Sequence, residues 1–363
     1  MQSGRGVLAL AVAAVVAGCG GAHQPLSLER PYARTSPALP GPSPRGRSAE
    51  DAAALNRGCE GCHAEIAGEW RGSFHARSHM DAAYQRALAL EPLGFCRGCH
   101  APEADERAAV PAAAASVGVG CVTCHVVGKD VLAGAATSRA EPAPHPLLRD
   151  PRFVGSAACS GCHEFAFPDR GARGKPELMQ ATLSEHAKSQ TSASCSSCHM
   201  PLTAGGTSAH RSHAFAGGHD AELVRSAVSV AAERTEHGAR ITLTPRNVGH
   251  AFPTGDLFRR IEVSAEAVGP EWQVAASASR YLARHWQRQP SPFGVVLRSA
   301  TRDDRPLSAP LVIELELGPA AANLPIDWRV AYQRVDHPRS EREQDASVDG
   351  EIEITSGALE KNP

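Results

Sequence analysis

Residues 59–79 read CEGCHAEIAGEWRGSFHARSH: two cysteines and a histidine within five positions, then two more histidines. The opening pattern, Cys59-x-x-Cys62-His63, returns at Cys96, Cys99 and His100, at Cys121, Cys124 and His125, at Cys159, Cys162 and His163, and at Cys195, Cys198 and His199. Ten of the eleven cysteines are used this way, so the pattern is a constraint on the chain and not an accident of composition. Three ordinary uses of paired cysteines fail on the histidine. A thioredoxin-like redox pair needs one C-x-x-C, a zinc finger sets its histidines at finger spacing, and a disulfide scaffold gives no reason for a histidine after every pair. Two thiols separated by two residues can add to the two vinyl groups of a haem, and the adjacent imidazole is then held beneath the iron. The sequence predicts five covalently attached haem c groups, with His63, His100, His125, His163 and His199 as proximal iron ligands.

Haem of this type is attached outside the cytoplasm, and the N-terminus reads as an export signal. Arg5 supplies a basic start, Val7 to Ala17 an apolar run too short to span a bilayer, and Val16-Ala17-Gly18-Cys19 a lipobox-like end. Residues 1–18 are therefore expected to be a lipoprotein signal peptide and Cys19 the lipidated first residue of the mature chain. An ordinary signal peptide with Cys19 left free is the competing reading. Residues 19–50 carry Pro25, Pro31, Pro37, Pro40, Pro42 and Pro44 and read as an extended tether. The expected place is the periplasmic side of a bacterial membrane, with the outer membrane favoured. A net charge of −2 without a basic patch argues against nucleic acid as a partner.

Residues 51–220 form the expected pentahaem domain. Two units of similar length, Cys59 to Cys96 and Cys159 to Cys195, each contain Glu-x-x-x-Ser, as Glu69 to Ser73 and Glu185 to Ser189. Aromatics at 5% suit an interior filled by porphyrin. Each iron then needs a sixth ligand or keeps an open position, which separates an electron carrier from an enzyme. Ile66, Trp70 and Phe74 predict a helix stripe with His75 and His79 beside it, of which His75 is preferred as ligand. Met179, Leu183 and His186 predict a helix face carrying His186. His145 stands between two prolines, a rigid presentation. His210, His213 and His219 offer at least one ligand. His250 lies in a Gly- and Pro-marked turn, where a backbone-bonded turn histidine is the alternative. One choice per cluster gives His75, His145, His186, His213 and His250 as distal candidates. Met80, Met179 and Met200 are poor rivals, so mostly bis-His haems of low potential are expected.

The run Cys59-x-x-Cys62-His63-x-Glu65-Ile66-x-x-Glu69-Trp70-x-x-Ser73-x-His75 resembles the opening of multihaem cytochromes c of the cytochrome c-554 type. "CHMP" at 198–201 and "GHAFPTG" at 249–255 are similar to segments of multihaem relatives that add a C-terminal β domain. The resemblance covers roughly residues 55–265. It implies an electron-transfer cytochrome with closely stacked haems, usually bis-His, with one iron sometimes five-coordinate. The chain departs from it in carrying five motifs where the namesake carries four.

Beyond residue 220 cysteine disappears and apolar residues alternate, at Ile241 and Leu243, Ile261 and Val263, Ile313 to Leu317, Trp328 to Tyr332, and Ile352 and Ile354. Residues 221–357 are expected to form a β-sandwich, making the whole chain α+β. Two functions fit: an electron carrier between redox partner proteins, and an oxidoreductase acting on a small nitrogen or sulfur species at one open iron. The first is preferred, because histidines suffice to close every site and no C-x-x-C-Lys motif is present.

Overall fold

A helix sets residues i, i+3 and i+4 on one face, and every motif uses that geometry. The computed structural model describes residues 29–30, 40, 46–134, 144–170, 176–189, 191–203, 209–290, 296–337 and 340–361. Helix α1 (Ala49–Cys62) ends on the first motif, and four short helices hold the rest: α4 (Gly94–His100), α6 (Cys121–His125), α7 (Ala157–His163) and α9 (Cys195–His199). Between them run α2 (Ala64–Gly72), α3 (Ala82–Leu90), α5 (Ala112–Val117) and α8 (Thr182–Ser189), and α10 (Ala221–Ser226) leads out of this region. Side chains cap what such short elements leave unsatisfied. Ser48 accepts from the Asp51 N–H at 3.0 Å at the start of α1, and Glu164 accepts from the Leu183 N–H at 3.0 Å at the start of α8.

Two sequence expectations are corrected here. The stripe Ile66, Trp70, Phe74 does not run along one helix, because α2 ends at Gly72 and Ser73 takes an extended conformation while its hydroxyl donates to the Trp70 carbonyl at 2.7 Å. Glycine is a poor helix former, and a serine bonding back to the chain ends the turn. His75 and His79 consequently lie in irregular backbone. Likewise Met179 belongs to a strand, and α8 starts only at Thr182.

Small sheets brace the helical region. β1 (Glu29–Arg30), β2 (Val126–Val127), β3 (Asp130–Ala133) and β4 (Leu147–Arg149) make one sheet in the order β1-β4-β3-β2, and β5 (Glu164–Arg170) and β6 (Pro176–Ala181) make a hairpin. β1 and the start of α1 thus fall inside the stretch expected to be tether. Residues 1–28, with Cys19, lie outside the described residues.

The remaining strands are β7 (Val228–Arg234), β8 (Gly238–Pro245), β9 (Arg259–Val268), β10 (Val274–Leu282), β11 (Arg284–Pro290), β12 (Val296–Asp303), β13 (Leu311–Glu316), β14 (Ile326–Val335) and β15 (Val348–Leu359). Two antiparallel sheets, β10-β9-β14-β15 and β13-β8-β7, share one core, in which Ile241, Leu243, Ile261, Val263, Val330 and Ile326 are fully buried. This is the expected sandwich, and the overall class is α+β. Alternation exposed β8, β9, β13, β14 and β15 in the sequence. It hid β10, whose Val274–Leu282 run is mostly alanine, serine and exposed positions, and the β11–β12 hairpin.

The two regions differ in what fills them. The sandwich has an aliphatic core, worth about 1.5–3 kcal/mol for each large side chain buried. The helical region has a cluster of only Ala52, Ala53, Val117 and Val122, and among the described residues no apolar side chain between Leu132 and Val224 is buried. Its centre is instead a cavity of about 2010 Å³, about twice the upper end of ordinary ligand pockets at ~1,000 Å³.

Candidate haem-binding site

Four of the five motifs line this cavity with cysteines and histidines, while the fifth reaches the lining through Ser196 and not through its cysteines or His199. Three of the five proximal rings are set by main-chain carbonyls. His100 Nδ1 donates to the Ser78 carbonyl at 2.8 Å, His125 Nδ1 to Leu132 at 2.9 Å and His199 Nδ1 to Ala216 at 2.6 Å. A proton fixed on Nδ1 leaves the Nε2 lone pair for a metal. Burial then keeps the rings neutral. Desolvation, helped by neighbouring histidines, pulls His75 down to about 3 and His163 down to about 4, and burial takes His125 to about 4 despite its bond to Leu132. The same desolvation lowers His100, His213 and His250.

Opposite four proximal rings stands a second imidazole. Ring centroids are 6.5 Å apart for His63 and His145, 6.3 Å for His163 and His75, 6.2 Å for His125 and His213, and 6.1 Å for His199 and His250. An imidazole–metal bond is about 2 Å, so two rings sharing one metal stand with centroids about 6 Å apart. The spacing suits iron between each pair. His213 Nδ1 donates to the Arg211 carbonyl at 2.7 Å and His250 Nδ1 to the Ala251 carbonyl at 2.9 Å, again leaving Nε2 free. Helical thiols, oriented proximal rings, four facing imidazoles and an apolar-walled cavity together fit covalent haem.

Two positions depart from the sequence reading. His186 faces no proximal ring; its Nε2 bonds the Ala193 carbonyl at 2.8 Å, which leaves that nitrogen no lone pair for iron. His100 has no histidine opposite it among the described residues. Tyr84, buried on α3, stacks flat on it at 3.8 Å between centroids and 9° between planes. The Tyr84 hydroxyl is buried without a hydrogen-bond partner, and desolvation raises its pKa.

Sequence reasoning also missed the contacts among motifs. Cys59 lies beside Cys121, Cys99 beside Cys162 and Cys159 beside Cys195, and Cys124 lies close to Cys159. In chain order the first motif therefore adjoins the third, the third the fourth, and the fourth both the second and the fifth. Cys62 in the first motif and Cys198 in the fifth are exposed. Nothing in the local spacing could have signalled this arrangement.

Residues 58–126 match the family model described as cytochrome c554 and c-prime. No curated protein matches the chain. The fold is similar to that of a penta-heme cytochrome c552 from Thermochromatium tepidum, known from a crystal structure, with a TM-score of 0.62 at 19% sequence identity, covering 83% of this chain and 97% of that one. The five motifs and the four facing histidine pairs are what covalent haem c requires, residues 58–126 match the cytochrome c554 and c-prime model, and the fold is that of a penta-heme cytochrome.

Proposed function

We propose that this cytochrome carries five haem c groups, four of them bis-His, and passes electrons between redox partner proteins outside the cytoplasm, as part of a respiratory chain. The four imidazole pairs at 6.1–6.5 Å carry the reading. Bound haem supplies reversible one-electron chemistry at iron, and two imidazoles per iron hold that chemistry at low potential and close the metal to small ligands. The chain's own contribution is to set eight imidazoles in four facing pairs, with Nδ1 of His125, His199, His213 and His250 held by main-chain carbonyls, and to keep the motifs contiguous. Exposed Cys62 and Cys198 mark two of the three ends of the branched motif run, the first and the fifth motifs, where partners come nearest. The reading includes export under residues 1–18, a lipid anchor on Cys19, a tether to residue 50, haem attachment within 51–220 and a sandwich over 221–357. The support for export and the anchor is the N-terminal sequence, with its basic start, short apolar run and lipobox-like Val16-Ala17-Gly18-Cys19.

A second reading is favoured by one observation. His100 faces no histidine among the described residues, which suits an iron with an open position and an oxidoreductase acting there on a small nitrogen or sulfur species. Electron paramagnetic resonance and carbon monoxide difference spectra of the holoprotein test both. Four low-spin signals and one haem that takes up carbon monoxide are expected. Five low-spin haems indifferent to carbon monoxide would remove the open site, and two or more open haems would refute the pairing. Turnover of nitrite or hydroxylamine at the open haem would move the protein from carrier to enzyme.

A further inference from the structure

The Glu-x-x-x-Ser repeat has so far no role, yet both of its glutamates make long-range polar contacts to segments that carry a facing histidine. Glu69, on α2, accepts through Oε2 from the backbone N–H of His213 at 2.8 Å and from His210 Nε2 at 3.2 Å. His213 is thereby held at its own main chain, while its ring is oriented by the Arg211 carbonyl. Glu185, on α8, does the same for another histidine. Its Oε1 meets Arg305 Nη2 at 2.6 Å, its Oε2 accepts from Thr254 Oγ1 at 2.5 Å, and Arg305 Nη1 donates to the Pro253 carbonyl at 2.7 Å. Ser189 grips the other side of the turn, donating to the Gly249 carbonyl at 2.9 Å. His250 sits between these two grips. The side chains of Glu185 and Arg305 are 8% and 4% exposed, so the pair is buried.

Each glutamate thus comes from a helix after the first motif of its unit and ends on the segment bearing a histidine that faces a different motif. Glu69 serves His213, opposite His125; Glu185 serves His250, opposite His199. The two sites differ in detail: Glu69 holds an N–H directly, and Glu185 works through a hydroxyl and a guanidinium. Ser73 also differs from Ser189, ending α2 instead of gripping a distant loop. A buried carboxylate–arginine pair is weak evidence of stabilisation, since desolvation offsets much of the attraction. Fixing geometry is the better account of both carboxylates.

We propose that Glu69 and Glu185 are positioning residues of one kind, each holding in place the segment that delivers a distal histidine. The proposal rests on the bis-His reading above. Contacts that orient metal ligands are typically worth 10- to 100-fold in metal affinity. Because carbon monoxide competes with the distal imidazole for ferrous iron, losing the grip strengthens its binding at that haem by about the same factor.

The experiment is carbon monoxide titration of the reduced holoprotein, with His213→Ala and His250→Ala supplying the spectra of opened third- and fifth-motif haems. If these two variants open no new site, the bis-His reading fails at those irons whatever the glutamates do. If they do, Glu69→Ala is expected to strengthen binding about 10- to 100-fold at the third-motif haem alone, with Glu69→Gln recovering most of the wild-type behaviour through its remaining carbonyl oxygen. Glu185→Ala is expected to act at the fifth-motif haem alone. Should the alanine variants fail to mature, Thr254→Val decides: it removes one hydroxyl, and the fifth-motif haem must become several-fold easier to ligate. Binding within twofold of wild type, or a lowered unfolding midpoint without a ligation change, overturns the proposal.

Discussion

Replacing Glu103 with alanine removes the buried centre of a polar clip in the part of the molecule with the least apolar core. The Glu103 carboxylate is fully buried; it meets Arg47 Nε at 2.7 Å and Nη2 at 3.0 Å and accepts from Thr123 Oγ1 at 2.9 Å. Arg47 in turn donates to the Val122 carbonyl at 2.9 Å. The clip joins the chain just before α1 to α6, where Thr123 stands between the cysteines of the third motif. Removing one partner of a buried ion pair costs about 3–5 kcal/mol, because the other charge stays buried. Arg47 keeps its bond to Val122 and is 11% exposed, which places this case near the lower end, at about 3 kcal/mol. Glu103→Gln keeps an acceptor for both neighbours and should cost about 1–2 kcal/mol. Arg47→Met combined with Glu103→Leu removes both charges and should cost less than Glu103→Ala alone. Urea unfolding of the holoproteins, followed by far-ultraviolet circular dichroism with the slope held as a control, measures all three. A loss below about 1 kcal/mol for Glu103→Ala, or a double variant at least as unstable as the single one, would refute the reasoning.

Gly118 has a φ of +55°, and an added Cβ would lie 2.5 Å from the carbonyl oxygens of both His75 and Ala76. Gly118→Ala should therefore displace His75 and turn the fourth-motif haem partly high-spin; an unchanged paramagnetic resonance spectrum would contradict this. Ile261→Ala opens a cavity at the centre of the sandwich and should cost about 2–5 kcal/mol while leaving haem spin states unchanged. A change of spin state on that substitution would mean that the sandwich core and the ligand geometry are coupled. The buried histidines fix the sign of the acid response. Burial lowers their proton affinity in the fold, and iron held by the same rings would lower it further, so below about pH 6.5 the unfolded chain binds protons that the folded chain does not, and stability falls as pH drops from there. Unfolding midpoints constant between pH 6.5 and 4 would count against neutral buried imidazoles.

How much of this was legible in the sequence follows from the range of each interaction. The proximal set needs only a helical turn: Cys i, Cys i+3 and His i+4 share a face whatever the rest of the chain does, so five attachment sites can be read from spacing. A sandwich strand also declares itself locally, by alternation, wherever one face is buried against an aliphatic core; β9 and β14 do so, and alanine- and serine-rich β10 does not. The histidines that face the proximal rings obey neither rule. His75 faces the fourth motif and not the first, which it follows, because α2 stops at Gly72 and the Val119 N–H, 2.9 Å from the His75 carbonyl, ties that segment to the turn before the third motif. His186 looked like a ligand from its helix position, yet a carbonyl seven residues on takes its Nε2. What told these histidines apart was the long-range contact that orients each ring or its backbone, and the local pattern carries no sign of it. The Glu-x-x-x-Ser repeat is the nearest thing to such a sign. It marks two helices from which a carboxylate reaches a distal segment, so a search for distal ligands in related multihaem chains gains more from following the acidic residues than from counting the histidines.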